Sequence, residues 1–149
     1  MTFLDKRTLG LTPDNWADLW LRYKREHRDG DFWAVDSMFF LPTEDPERAW
    51  LVILALVSRA EEEELEYIGA GPLENLVEEH APAFIDRIEA AALTDTKFQV
   101  ALSTIWLNSL YQQPEIVARL VAASGEAIEP FELDYEKAER EERDGKDGA

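Results

Sequence analysis

The sequence predicts an all-α fold, a single domain of about six or seven helices stacked as antiparallel hairpins in a bundle or a short solenoid-like array. Helix-start signals, each a capping residue followed by proline or a charged residue, recur along the chain. Apolar residues between these signals repeat every three or four positions, which is the period of an amphipathic helix. The connections are short, which favours antiparallel neighbours, and no segment carries the turn residues of a β-hairpin.

The first helix is predicted to begin at residues 12–14 (Thr-Pro-Asp), which supply a cap, a first-turn proline and a negative charge at the positive end of the helix dipole. Trp16, Trp20 and Tyr23 follow at helical spacing and form one aromatic stripe. Two interpretations of this stripe stay open. It packs against the apolar helix at 49–57, which we favour, or it forms a partner surface, because Trp and Tyr are enriched in binding hot spots.

The next segment, Phe32–Leu41, is apolar and fits either a short helix or a buried strand, because periodicity does not separate the two at this length. We interpret it as a helix that Pro42 closes. Asp45 and Pro46 repeat the cap-and-proline signal and open a helix predicted to run to about Glu64. The middle of that helix is apolar on every side, which indicates a central helix packed by several neighbours.

The glycine-rich motif GAGPLE (residues 69–74) has a structural and a chemical interpretation. A glycine loop that enters a helix can bind a phosphate through its backbone N–H groups. However, no Lys, Ser or Thr follows the motif, and Glu74 occupies the place of the anion. We therefore favour a helix start, in which Gly69 ends one element, Gly71 is the cap, Pro72 is the first helical residue and Glu74 complements the helix dipole.

Three further boundaries divide the rest of the helical region. Pro82 restarts the helical pattern of the preceding helix. Residues 94–95 (Thr-Asp) start the next helix, whose apolar residues continue to Trp106. Residues 113–114 (Gln-Pro) mark the last helix, and Gly125 is its expected C-terminal stop.

The end of the chain differs in composition from the rest. We predict an all-helical domain over residues 1–125 and an acidic C-terminal tail over residues 126–149. Within the tail, apolar and acidic residues alternate over 128–135, so this piece is expected to lie extended against the body. From Glu136 onward the residues are charged with almost nothing to bury, which predicts disorder.

The net charge of −17 is unevenly distributed. Residues 1–31 contain six acidic and six basic side chains, whereas residues 32–149 contain 26 acidic and nine basic side chains. Such a surface repels phosphate backbones, so we expect no nucleic-acid partner. A basic protein would be attracted to it, although solubility alone also explains the excess of acidic residues.

The composition also indicates a cellular compartment. The chain contains no cysteine, which fits a reducing environment. Residues 1–11 have no apolar core of signal-peptide length. The longest apolar run, Ala49–Val57, is well short of the roughly 20 residues that cross a bilayer. We expect a cytoplasmic protein with no membrane partner.

The sequence assigns no catalytic, cofactor-binding or metal-binding residue, and we expect no cofactor. Consecutive glutamates at 61–64 spread around a helix and do not converge on one ion. His80 lacks a glutamate three positions before it, where Val77 stands, so it does not match the metal motif of helical bundles. We interpret His80 as a helix-end residue whose ring packs or bonds a carbonyl. No serine lies in a Gly-x-Ser-x-Gly nucleophile motif.

The stretch from Ala49 to Trp106 contains the segments AWLVILALV, YIGAGPLENLVEEH and FIDRIEAAALTDTKFQVALSTIW. In these segments the chain resembles a family of small bacterial proteins of unknown function. The shared pattern is an apolar Trp-containing helix, a GAGPLE-type helix start and a closing helix that begins near Asp95 and Phe98. The resemblance implies a helical bacterial domain, and it brings no activity, ligand or catalytic residue to this chain.

Three hypotheses about function follow from the sequence, and none identifies an activity. The first is a non-enzymatic protein-binding module whose acidic surface engages a basic protein, as a small inhibitor or immunity-type protein does. The second is a carboxylate-dependent enzyme or metal-binding protein. The third is a homo-oligomeric structural protein built on the aromatic residues of the first helix. The sequence does not favour any particular oligomeric state.

Overall fold

The computed structural model describes residues 1–107, 110, 112–128 and 143. These residues form an all-α domain without a β-strand, as the sequence predicts. A 3-10 turn at Lys6–Gly10 precedes the first helix. The α-helices are α1 (Pro13–Glu26), α2 (Phe32–Glu44), α3 (Pro46–Arg59), α4 (Leu65–Ile68), α5 (Glu74–Thr94), α6 (Thr96–Leu102) and α7 (Pro114–Ala123).

The predicted capping residues start three of the helices. Thr12 Oγ1 accepts a hydrogen bond from the Asn15 N–H at 3.1 Å at the start of α1. Asp45 and Asp95 do the same for α3 and α6, where their carboxylates accept from backbone N–H groups two or three residues ahead. Each side chain satisfies a donor that the first helical turn leaves unpaired, so these starts are encoded locally.

Helix α2 confirms the helical interpretation of the ambiguous apolar segment, but the prediction that Pro42 closes it is wrong. Pro42 lies inside the helix, which continues to Glu44. The Asp45 N–H still donates to Leu41 O at 2.8 Å, so the last turn remains hydrogen-bonded. Pro42 lies close to the end of α2, so few turns follow the hydrogen bond that it removes, and the last turn persists.

Helix α3 is central, as its sequence predicts, because α1, α2, α4, α5 and α6 all pack against it. The prediction that it runs to about Glu64 is wrong, since it ends at Arg59. A capping box explains the early end: Glu64 Oε1 accepts from the Glu61 N–H at 2.8 Å and so starts a new 3-10 turn. The burial is also incomplete, because Leu51 is exposed.

The core joins these helices through aromatic side chains. Trp50 of α3 lies against Phe84 of α5 and Phe98 of α6, with ring centroids 5.9 and 5.6 Å apart. The Trp16 indole N–H donates to Ala34 O at 2.8 Å, which links α1 to α2 and satisfies the only polar group of a fully buried ring. One contiguous hydrophobic core therefore holds the helices together.

The GAGPLE motif does not break the chain, so the prediction of a helix start there is wrong. A π-helical turn at Gly69–Leu73 joins α4 directly to α5, and Pro72 lies inside it. A π turn inserts an extra residue into a helix, which changes the direction of the side chains after it. Gly71 is therefore not a cap, and Glu74, the first residue of α5, follows the π turn without a break in the helical backbone.

Helix α5 also continues through the predicted restart at Pro82. The backbone leaves helical geometry at His80, where φ is −135° and ψ is 19°, and the helix resumes beyond it. The proline ring would clash with the carbonyl of the preceding turn, so the helix bends two residues before the proline. Pro82 therefore does alter the backbone, but it produces a kink inside one helix and not the start of a new one.

Helix α6 stops at Leu102, earlier than the predicted end near Trp106. The hydroxyl groups of Ser103 and Thr104 donate to the carbonyls of Val100 and Ala101 at 2.6 and 2.7 Å. Side chains that bond nearby backbone groups compete with the helical pattern, and this competition accompanies the end of α6.

The C-terminal stop of α7 is confirmed. Gly125 has φ +75°, and the Glu126 N–H donates to Val121 O at 2.9 Å, which is the Schellman arrangement. Of the predicted tail, Glu126 to Ile128 and Arg143 are described, and Ile128 is buried. The predictions of docking over 129–135 and of disorder beyond concern residues outside the described ranges. Among the described helices, none combines the length and apolar character that crossing a membrane requires.

Candidate functional site

The aromatic stripe of α1 lies mostly in the core. Trp16 is 0% exposed and Trp20 is 3% exposed, so these two side chains present almost no area to a partner. Tyr23 is half-buried, with its ring against Phe32 and His27. The packing interpretation of the stripe agrees with this arrangement, because α1 packs against α3. A homo-oligomer built on these tryptophans would have no exposed surface to use.

A groove of about 170 Å³ opens instead on the neighbouring face, between α1, α2 and the π turn. It is a surface depression with an apolar floor. The side chains that line it are Trp20 and Lys24 from α1, Val35, Met38 and Phe39 from α2, and Tyr67, Gly71, Pro72 and Asn75 from the π turn and its flanks.

Two aromatic side chains stand at the surface of the groove. Phe39 is 63% exposed and Tyr67 is 59% exposed, whereas Met38 beneath them is buried. Gly71 keeps the groove open, since nothing lies within 4 Å of the position that a Cβ would take. Exposed aromatic rings beside a preformed depression are typical of protein–protein interaction sites.

The aromatic surface continues beyond the groove toward the N-terminus. Phe39 meets Phe40 edge-on with ring centroids 5.2 Å apart, and Phe40 stacks on Phe3 at 4.9 Å. Phe3 is exposed, and its N–H donates to a carboxylate oxygen of Glu44 at 2.9 Å. The N-terminal segment is thus fixed to α2, and it extends the exposed aromatic surface along this helix.

Lys24 is the one charged residue that lines the groove. Its side chain is half-buried, and its ammonium lies 5.1 Å from the centroid of the Trp20 ring. It forms no salt bridge to any carboxylate of the described residues, in a chain with 32 acidic side chains. The cation therefore keeps its hydrogen-bonding capacity for another group at the groove.

Three exposed carboxylates lie close along the chain to residues that line the groove. Asp36, Glu63 and Glu78 are exposed, and each lies three or four positions along the chain from a groove residue. Residues at that spacing share a face of a helix. Within the described ranges none of the three forms a salt bridge, so their charges remain available to a ligand.

A second depression on α1 has the opposite character, because its cations are all paired. Arg22 bonds Asp31 and Arg25 bonds Glu64, each pair at 2.6 Å. Arg59 completes this basic cluster and bonds two carboxylates of α1 at 2.9 and 3.0 Å. The guanidinium groups hold the pKa values of Asp31 and Glu64 below their usual range. This cleft is an ion-pair network and offers no free cation.

Within the GAGPLE motif, Gly69 and Glu74 join the π turn to the segment after α6. A Cβ on Gly69 would lie 2.0 Å from Ala101 O, so only glycine permits this close approach of the end of α6. A Glu74 carboxylate oxygen accepts from the Trp106 N–H at 2.5 Å. Burial is the largest cause that raises the pKa of Glu74, and the charge of Glu78 also raises it. Because the motif lies inside a continuous helix, it presents no helix N-terminus to a phosphate.

The ring of His80 bonds a carbonyl, as predicted, but the prediction of a helix-end position is wrong, because His80 lies at the kink inside α5. Its Nε2 lies 2.9 Å from Pro42 O, which ties the kink of α5 to the last turn of α2. The glutamate run at 61–64 is also structural in part, because Glu61 and Glu64 form a capping box. The described part of the chain contains no group of three or more His, Asp or Glu side chains placed to hold a metal ion.

The sequence analysis missed Lys24, Phe39 and Tyr67 as site residues. One signal was present: α2 contains Phe32, Trp33, Phe39 and Phe40, and the single inner face of a helix does not bury so many large rings. Some of them had to remain at the surface. The lysine and the tyrosine carry no comparable signal, because their meeting at one groove depends on the tertiary fold.

Comparison with known proteins identifies the family. The family described as "Family of unknown function (DUF6869)" matches residues 22–128. This match includes the Ala49–Trp106 stretch on which the resemblance rests, and it extends to both sides of it. No curated protein and no solved structure matches the chain.

Proposed function

The chain belongs to the family of unknown function DUF6869, and we propose that it is a non-enzymatic protein-binding module. The partner is a basic protein that docks at the groove between α1, α2 and the π turn. The observation that carries the proposal is this groove, in which the exposed rings of Phe39 and Tyr67 flank an apolar floor. Exposed carboxylates that form no salt bridge within the described residues lie close to it along the chain.

The size of the groove favours a side chain of a protein over a small-molecule substrate. Binding sites for substrates and cofactors commonly measure about 300–1,000 Å³ and enclose most of the ligand. The groove measures about 170 Å³ and is open to solvent. A cavity of about 150 Å³ holds one benzene ring, so this groove fits roughly one aromatic or large aliphatic side chain. Most of a partner would lie outside it, on the surrounding surface.

The charge distribution favours a basic partner. Residues 32–149, which contribute most of the groove, carry 26 acidic and nine basic side chains. The carboxylates of Asp36, Glu63 and Glu78 would meet Lys or Arg side chains of the partner around the docked side chain. Such complementarity steers association and discriminates against acidic proteins. A second copy of this chain is a poor occupant, because two molecules of charge −17 repel each other.

The proposal is tested by affinity capture from the native organism at low salt, followed by mass spectrometry and by binding measurements with the purified partner. The bait is the wild-type chain, and the test bait carries Phe39→Ser and Tyr67→Ser. A control bait carries Leu93→Ser, which removes an apolar side chain that is even more exposed and lies outside the groove.

We expect a basic protein that the wild-type and Leu93→Ser baits retain and that the double variant loses. Its affinity should fall by about tenfold or more between 50 and 300 mM salt, because exposed charges are screened over about 8–10 Å at physiological ionic strength. Retention that is equal for all three baits, or an affinity independent of salt, would contradict the proposal.

A further inference from the structure

We propose that the groove captures the C-terminal residue of the partner, whose apolar side chain lies on the floor while its α-carboxylate binds Lys24. This inference rests on the proposed function and names the part of the partner that the groove recognises. The basic residues that precede the C-terminus would then lie over the surrounding carboxylates.

The first argument is the state of Lys24. Seven arginines of the described chain form salt bridges with carboxylates, whereas the ammonium of Lys24 meets only the Trp20 ring. Lys6, Arg48 and Lys97 also form no salt bridge within the described residues, but of these four cations only Lys24 lines the groove. Its place beside an apolar floor suits an anion that arrives with an apolar group attached.

The second argument is the polar neighbour of this cation. Asn75 also lines the groove, and its amide group can donate a hydrogen bond to a carboxylate oxygen. A cation and an amide donor beside one apolar depression are the groups that hold a carboxylate through charge-assisted hydrogen bonds. The structure thus places a cation, an amide donor and an apolar floor in the same groove.

The third argument selects a chain terminus over an internal acidic residue. In an extended segment, neighbouring side chains point to opposite faces, so an internal Asp or Glu beside an apolar residue turns away from it. A C-terminal residue carries its carboxylate and its apolar side chain on the same Cα. That arrangement brings both groups into a groove of this size without a second or a modified residue.

The test uses a synthetic peptide of sequence Lys-Gly-Lys-Gly-Lys-Phe with a free C-terminal carboxylate, and the same peptide with a C-terminal amide. Binding of each to the full chain is measured by calorimetry at low salt. The amide carries one more net positive charge, so a purely electrostatic acidic surface would bind it more tightly. The inference predicts the opposite order, with the free carboxylate bound about tenfold more tightly, because only the carboxylate forms a charge-assisted hydrogen bond with Lys24.

Two matched variants locate the effect. Lys24→Gln should remove the preference for the free carboxylate, whereas Lys6→Gln, which deletes the same charge at an exposed position outside the groove, should keep it. Equal or tighter binding of the amide by the wild-type chain would overturn the inference. The proposed function would stand in that case if Phe39→Ser still weakened both peptides. Binding of neither peptide would also overturn the inference, and the capture experiment would then decide the proposed function by itself.

Discussion

Helix α1 borders two surface depressions that use their charges differently. In the cleft of Arg22, Arg25 and Arg59, every guanidinium has a fixed carboxylate partner. In the groove beside Trp20, the cation Lys24 lies against an aromatic ring and forms no salt bridge with any carboxylate of the described residues. Paired charges hold helices in place and leave little for a ligand. An unpaired cation at an apolar groove contributes little to the fold and remains available for binding.

The largest expected effect on stability comes from a comparison of the buried floor of the groove with one of its exposed rings. Met38→Ala removes a buried side chain and should lower the free energy of unfolding by about 2–4 kcal/mol, because a core cavity remains. Phe39→Ala, at the next residue, should change it by less than about 0.5 kcal/mol, since the ring is largely exposed. Urea unfolding measures both. A large loss from Phe39→Ala would mean that this ring serves stability instead of binding.

The second prediction breaks the ion-paired cleft. Glu64→Ala leaves Arg25 and the Glu61 N–H without their buried acceptor, and it should cost about 1–3 kcal/mol of unfolding free energy. The control is Glu63→Ala, at an exposed neighbour of the same 3-10 turn, with an expected effect below about 0.5 kcal/mol. Equal effects of the two variants in urea unfolding would show that the network does not stabilise the fold.

Some of these structural features can be predicted from the sequence alone, and others cannot. The helix starts at Thr12, Asp45 and Asp95 are predictable, because each cap bonds a backbone N–H within three residues of itself. The end of α7 at Gly125 is also predictable, because the left-handed conformation that ends a helix favours glycine. Interactions confined to one turn of the chain can be recognised without knowledge of the tertiary fold.

The errors arise where distant residues decide the local structure. The motif at 69–74 has every local sign of a helix start, but the end of α6 packs directly on Gly69, and the chain stays helical through a π turn. Similarly, the carboxylate of Glu74 accepts a hydrogen bond from the backbone N–H of Trp106, which is 32 residues away along the chain. The groove is a stronger example, because its walls come from α1, α2 and the π turn. Its members share no pattern in the sequence.

The third prediction concerns pH and follows from the pKa values of the cleft. The folded state holds the pKa values of Asp31 and Glu64 below those of the unfolded chain, so their contribution to stability is present at neutral pH. It should begin to fall as the pH approaches the ordinary carboxyl value of about 4 and be lost as the pH drops through the lower folded values.

Urea unfolding between pH 7 and pH 3 measures this loss. The variant Asp31→Asn with Glu64→Gln should show a smaller decline in unfolding free energy over the acidic range than the wild-type chain, because it lacks the two groups that take up protons on unfolding.

The variant Glu74→Gln is expected to behave in the opposite way. The pKa of Glu74 is raised, so its ionised form opposes folding at neutral pH, and this variant should steepen the relative decline toward acid. The same pH curve for all three proteins would contradict the assignment of the titrating groups.

The smallest expected effect on stability tests the groove with a single methyl group. Gly71→Ala places a Cβ where nothing lies within 4 Å and reduces the entropy of the unfolded chain, so it should raise the free energy of unfolding by about 0.4–1 kcal/mol. The same methyl group narrows the groove and should weaken binding of the partner or the Lys-Gly-Lys-Gly-Lys-Phe peptide several-fold. Gly30→Ala is the matched control, because its Cβ also meets open space but lies beside the ion-paired Asp31. It should give a similar gain in stability with unchanged binding, and weakened binding in both variants would mean that the groove is not the docking site.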